Sequence, residues 1–132
     1  MGGVPQFYEQ LKKIKFENFK IDSFKYLTQA GGKLDKVFSE YFLNICKKNR
    51  IDFFLMYGQT EASPRMSYLN YTKFSDKSES IGKPILGSKF KIVNSKNMYI
   101  QKPFDIGELV YYGKNVCLGY SQSLKDLFLG NV

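Results

Sequence analysis

The amino-acid sequence predicts an α/β unit followed by a β-rich layer. Three observations carry that expectation. A strand-like run, a helix-like run and a second strand-like run succeed one another between residues 24 and 56. Gly82, Pro84 and Gly87 then break the chain within a few residues. Short segments of alternating or apolar character follow as far as Tyr112.

Taken in order, Pro5 suits the first turn of a helix, where its missing N–H would have had no partner anyway. Phe7, Leu11 and Ile14 recur at spacings of four and three, which makes one apolar stripe and predicts an amphipathic helix to about Lys15. Phe24 to Ala30 favours a strand that Gly31-Gly32 ends abruptly. Asp35 can cap a second helix with Phe38, Tyr41, Phe42 and Ile45 on its buried face. Lys47, Lys48 and Arg50 fall at its end, where positive charge suits the helix dipole, and Asn49 is the expected stop. Ile51 to Met56 is short and mostly apolar, as expected of a strand covered on both faces, and Tyr57-Gly58 closes it.

A helix between two strands makes them parallel neighbours, joined by a right-handed crossover. Parallel strands finish at the same edge of the sheet. The Gly31-Gly32-Lys33 loop and the Tyr57-Gly58-Gln59-Thr60-Glu61 loop are therefore expected side by side, where open α/β sheets bind ligands. After about Thr72 the chain turns polar, which divides it into an α/β portion, 1–72, and a β-rich subdomain, 73–132. In the second part Lys89 to Val93, Met98 to Ile100 and Glu108 to Tyr112 predict an antiparallel layer or partial barrel. Ser123 can cap a last turn from Leu124 to Leu129, and the end at Gly130-Asn131-Val132 is expected to be cut, with no further element to cover it.

Composition narrows the chemistry. At 132 residues with 43% hydrophobic and 17% aromatic side chains, the chain is of globular class and long enough to bury a core. The formal charge of +8 would suit nucleic acid, an anionic membrane or a phosphorylated ligand, but the lysines are scattered, with only small groups at Lys12-Lys13 and Lys47-Lys48. A solvated lysine-rich surface is the expected reading, without nucleic acid. No apolar run approaches the roughly 20 residues that cross a bilayer, and no basic stretch with an apolar core opens the chain. Gly2 is not followed by the Ser or Thr that myristoylation wants at the sixth position, where Gln6 stands. A cytoplasmic protein without a membrane span is expected. Cys46 and Cys117 lack Cys-x-x-Cys spacing and read as small buried hydrophobes. With no histidine, any chemistry must use carboxylates, hydroxyls, lysines or backbone amides.

Tyr57-Gly58-Gln59-Thr60-Glu61 combines types that suit a nucleotide. The ring can stack on a purine, the glycine admits close backbone approach, Thr60 can donate to a phosphate oxygen, and Glu61 can hold a hard divalent ion. A turn with a partly buried tyrosine and a solvated glutamate would explain the same five residues.

Further motifs separate these readings. Gly31-Gly32-Lys33-Leu34, Tyr57-Gly58-Gln59-Thr60-Glu61-Ala62, Ile81-Gly82-Lys83-Pro84-Ile85, Gly107-Glu108-Leu109-Val110, Asn115-Val116 and Leu118-Gly119-Tyr120 occur in the order of the AMP-binding, adenylate-forming superfamily, which the chain resembles over nearly its whole length. The resemblance implies an internal piece of the large N-terminal domain of an acyl-activating enzyme. It implies that Gly31, Gly32 and Lys33 line adenine through backbone atoms, with Gly58 and Gln59 beside them. Tyr57 would stack on the base, Thr60 bond the α-phosphate and Glu61 coordinate magnesium, the last two being the catalytic pair. Gln59, Ala62 and Arg65 to Leu69 look more like the acyl-CoA ligase branch, which implies ATP and coenzyme A as co-substrates, a small carboxylic acid and a setting in fatty-acid metabolism. For Arg65 itself, a surface or packing role fits equally well.

The family pattern also has parts these residues do not show: a Ser/Thr/Gly-rich loop ending in lysine, a Thr-Gly-Asp segment and a C-terminal lid with a catalytic lysine. Met1 is expected to be an internal start, and the remainder of the synthetase is an expected partner. Little turnover is expected from the chain alone. The alternatives are a non-catalytic binding module and a basic nucleic-acid-binding protein whose rings stack on bases.

Overall fold

The computed structural model describes residues 1–128. Helix α1 (Pro5–Lys13) starts at its proline as expected but turns a different stripe inward. Tyr8 and Leu11 are buried, whereas Phe7 is 37% and Ile14 56% exposed. Tyr8 takes the inner place because its hydroxyl donates to the Thr28 carbonyl at 2.7 Å, so the whole ring leaves water without an unpaired polar atom. That burial, with the Cys46 thiol nearby, pushes its phenol well above the usual range.

Helix α2 (Lys36–Lys48) is capped as the sequence indicates: the Asp35 carboxylate accepts from the Val37 N–H at 2.8 Å. Asn49 closes it, its side-chain amide donating to the Ile45 carbonyl at 2.8 Å. The buried face is Ser39, Phe42, Leu43, Ile45 and Cys46, while Phe38 and Tyr41 lie partly buried at its edge. Ser39 is admitted to that face because its hydroxyl donates to the Asp35 carbonyl at 2.9 Å.

Five strands form one sheet in chain order: β1 (Gly2–Gly3), β2 (Tyr26–Gln29), β3 (Asp52–Gly58), β4 (Arg65–Asn70) and β5 (Lys83–Pro84). The first three are parallel; β4 pairs antiparallel with β3, and β5 antiparallel with β4. The parallel pair β2 and β3 with α2 between them is the expected unit, and β1, β4 and β5 extend it.

Both helices pack on one face of this sheet. Tyr8 of α1 meets Phe42 of α2 edge-on with ring centres 4.8 Å apart, and Leu27, Phe53, Leu69 and Tyr71 complete the core from below. The expectation that β3 is covered on both faces is therefore corrected. On the reverse face Tyr26 is 56% exposed, and Phe54 and Tyr68 floor a hollow of about 540 Å³ edged by Lys73, Lys77 and Lys83. The reason is topological: β1–α1–β2–α2–β3 winds in one direction and places both helices on the same side.

Strands β6 (Lys89–Val93) and β7 (Glu108–Tyr112) form a separate antiparallel sheet, with Phe90 packed on Tyr111 at 5.4 Å and Tyr99 bridged to Val93. Near the end a short 3-10 turn runs Leu124–Phe128. At its start the Asp126 carboxylate accepts from the N–H groups of Gln122 and Ser123 at 2.8 and 2.7 Å. Leu129 and the Gly130-Asn131-Val132 end lie outside the described residues. Cys46 is buried as expected, but Cys117 is exposed. Among the described residues no helix is long and apolar enough to cross a membrane.

Candidate functional site

The register of β2 against β3 pairs Gln29 with Leu55, so the chain leaves both strands at the same edge of the sheet. After β2 the backbone enters conformations that L-residues rarely adopt, with φ of 74° at Gly31 and 148° at Gly32. A Cβ on Gly31 would also meet Val4 at 3.0 Å. The loop is held from inside: the Gln29 side chain, 2% exposed, donates to the Gly32 carbonyl at 2.7 Å and to the Ala30 carbonyl at 3.1 Å.

At the end of β3 the pairing with β4 shifts register between Tyr57 and Gly58. Only glycine fits there, because a Cβ would lie 1.7 Å from the Pro64 carbonyl oxygen. From Gln59 the chain enters a 3-10 turn, Thr60–Ala62, closed by Ala62 N–H to the Gln59 carbonyl at 3.0 Å and Ser63 N–H to the Thr60 carbonyl at 3.1 Å. Ala62 is buried and Thr60 is exposed.

Between the two loops lies a cleft of about 380 Å³. Gly31, Gly32 and Lys33 form one wall, Tyr57 and Gly58 another, and Gln29, Leu55 and Met56 lie where the strands enter it. A third wall, Ser78 to Ile81, was not foreseen from the sequence. It is tied to the first by an ion pair between Lys33 and Glu79 at the rim, both side chains well exposed. The walls mix an aromatic ring and aliphatic side chains with backbone polar groups, the lining that suits a flat heteroaromatic ligand.

Gln59, Thr60 and Glu61 do not line this cleft; they continue from Gly58 onto the exposed turn. The Glu61 carboxylate accepts a hydrogen bond from the Tyr120 hydroxyl, which, with a backbone hydrogen bond, holds its carboxyl below the ordinary range. The Tyr120 phenol is pushed up in return. Glu61 is thus charged at neutral pH. Among the described residues no cluster of three or more His, Cys, Asp or Glu could hold a metal. One carboxylate alone does fit magnesium, which keeps several waters and shares one or two protein carboxylates with substrate phosphates.

Sequence reasoning missed Gln29, the Ser78 to Ile81 wall and the partner of Glu61. A glutamine directly before Ala30-Gly31-Gly32 was the available sign of the first, since a polar residue at a strand end must find a partner once buried.

The sequence matches the profile of the AMP-binding enzyme family over residues 1–121. A 2-succinylbenzoate–CoA ligase of Geobacillus sp. is 30% identical over 99 residues, covering 75% of this chain and 19% of the relative. One from Bacillus anthracis is 32% identical over 98 residues, covering 74% of this chain and 19% of the relative. The chain thus spans about a fifth of the length of these curated relatives. Among solved structures, the O-succinylbenzoate coenzyme A synthetase of Bacillus subtilis in complex with ATP and magnesium ion superposes with a TM-score of 0.74 at 24% identity, over 92% of this chain and 24% of that one. A long-chain-fatty-acid–CoA ligase from Archaeoglobus fulgidus gives 0.76 at 20% identity, over 95% of this chain and 26% of that one. These two similarities speak for the fold. The expected setting in fatty-acid metabolism finds no support in the curated relatives, which are named for 2-succinylbenzoate. The family match and the order of its motifs lead to one conclusion: this chain belongs to the AMP-binding enzyme family.

Proposed function

We propose that the chain supplies the adenine side and the signature loop of an AMP-forming acid–thiol ligase. In that reaction a carboxylate oxygen attacks the α-phosphorus of ATP and pyrophosphate leaves. A thiol, that of coenzyme A, then attacks the acyl carbonyl, and AMP departs with the electron pair of the broken acyl–phosphate bond. The acid is an acyl or aryl carboxylic acid, the class to which the curated relatives' named substrate belongs.

The observation that supports this reading is the shared cleft, in which Gly31, Gly32 and Lys33 face Tyr57 and Gly58 across about 380 Å³. Backbone atoms of the first loop meet the adenine edge and Tyr57 stacks on its face. Thr60 donates to the α-phosphate, next to Gln59 at the entry of the turn. Glu61 is the residue that would hold magnesium, which when bound offsets phosphate charge. Charge builds up on the phosphoryl oxygens in the transition state, so placed donors carry the rate and the lack of histidine is no obstacle.

These 132 residues contain no Thr-Gly-Asp segment and no Ser/Thr/Gly-rich loop ending in lysine. Removing even one transition-state donor commonly costs about 100-fold or more, so the chain by itself is proposed to bind nucleotide and to turn over negligibly. Calorimetric titration with AMP, paired with an ATP–pyrophosphate exchange assay, tests both halves. Saturable AMP binding with negligible exchange is expected. Absence of AMP binding would refute the nucleotide reading, and exchange at the rate of a whole synthetase would refute the dependence on further residues.

A further inference from the structure

The turn that carries Thr60 and Glu61 is gripped by a segment some 50 residues later in the chain, and one side chain does most of the gripping. Asn115 uses its whole amide. Its Oδ1 accepts from the Tyr111 hydroxyl at 2.8 Å, and its Nδ2 donates to the carbonyls of Ala62 and, at 2.9 Å, of Arg65. Those carbonyls flank the Ser63-Pro64 corner, where Ser63 sits at φ 54°, a left-handed conformation that a non-glycine residue keeps only when its surroundings hold it. A third carbonyl, that of Glu61, accepts from the Cys117 N–H at 2.7 Å.

The position is shaped for this amide. A Cβ on Gly113 would lie 2.5 Å from Asn115 Oδ1 and 2.6 Å from the Tyr111 hydroxyl, so glycine is the residue that leaves the pair its room. From Tyr111 the orientation passes to Asn115, and from Asn115 to the two carbonyls that end the turn.

We propose that Asn115, oriented by Tyr111, is a positioning residue that holds the Thr60–Ala62 turn in the shape that presents Thr60 and Glu61 to the nucleotide phosphates. Its functional half rests on the adenylate-forming reading above; its structural half does not. Asparagine is required, not merely a residue of its size. An aspartate would keep the acceptor for Tyr111 but set a carboxylate oxygen against two carbonyl oxygens, with no proton to offer either.

The test compares Asn115→Asp and Tyr111→Phe with the parent chain. Amide hydrogen exchange is followed residue by residue, and ATP affinity is measured with and without excess magnesium. For Asn115→Asp, exchange at Ala62 and Ser63 is expected to speed up by roughly tenfold or more while α2 stays protected. The gain in ATP affinity that magnesium confers should shrink by roughly tenfold, and magnesium-free affinity, which keeps only the Thr60 contact to lose, should fall by a smaller factor. Tyr111→Phe should move the same quantities in the same direction by a smaller factor, and it decides the matter if the aspartate variant fails to fold. Unchanged exchange at Ala62 and Ser63, or acceleration spread equally over α2, would overturn the proposal. A parent chain that binds no ATP would overturn the functional half and the adenylate reading together, while the exchange measurement still decides the structural half.

Discussion

The two loops at the cleft are built in opposite ways. The Gly31-Gly32-Lys33 loop is held from within the sheet, by the buried Gln29 amide and by the Ala30 N–H, which donates to the Gly3 carbonyl at 3.1 Å. The Tyr57 to Glu61 loop is held from outside, by Asn115, Cys117 and Tyr120, which follow β7. The wall proposed to bind the base is thus encoded locally, within the parallel half of the sheet. The wall proposed to bind phosphate depends on the second sheet and the residues that follow it. The proposed recognition of adenine therefore needs only the sheet, whereas the proposed alignment of Thr60 and Glu61 needs the β6–β7 unit and the residues after it in place.

The largest effect is expected at Gly58. Gly58→Ala puts a methyl group 1.7 Å from a backbone oxygen that cannot rotate away, and is expected to cost about 3 kcal/mol or more in urea unfolding. A loss under about 0.5 kcal/mol would show that the register shift is not the constraint described. Next is Gln29→Leu, which strips the Gly32 and Ala30 carbonyls of their donor; about 1–2 kcal/mol of stability should be lost. AMP affinity should fall with it while exchange at Ala62 and Ser63 is untouched, and equal disturbance of both loops would erase the distinction between them. Asp35→Ala removes the cap of α2 for about 1 kcal/mol, and circular dichroism melts should show the shift without a selective effect on either loop.

The smallest effect concerns the thiols. Cys117 should react with a thiol reagent in the folded protein and Cys46 only after unfolding, because burial and then the nearby Asp52 push the Cys46 thiol up to about 12. Its folded value is raised above the ordinary 9.0, so the stability it contributes is whole below pH 9.0 and is lost as pH climbs towards 12. Rapid labelling of Cys46 at pH 8 would mean that the helical face of the sheet opens more readily than its packing implies.

Much of the fold was legible because side chains announced it. Asp35 and Asn49 marked both ends of α2 through bonds that short polar side chains make with the backbone. The alternating run at Lys89 to Val93 and the apolar run at Glu108 to Tyr112 became β6 and β7. β1 stayed hidden because it is two glycines, which have no side chains to alternate. β4 was missed for a different reason: its fully buried Ser67 breaks the apolar pattern, and is tolerated only because its hydroxyl donates to the Ile81 carbonyl at 2.6 Å. The stripe of α1 was misjudged because a tyrosine counts as half-polar until the acceptor for its hydroxyl is known, and Thr28 lies 20 residues away in the chain. The same limit applied at the cleft. Residues close in sequence to the glycines could be nominated, whereas Glu79 and Asn115 find their partners only in neighbours that the fold brings to them.

Whether the two loops form one nucleotide cleft is decided by a nuclear magnetic resonance titration of the isotope-labelled chain with AMP. The amides of Gly31, Gly32, Lys33, Tyr57 and Gly58 are expected to shift together and saturate with one dissociation constant. Shifts confined to a single loop, or scattered over surface lysines without saturation, would contradict a shared cleft.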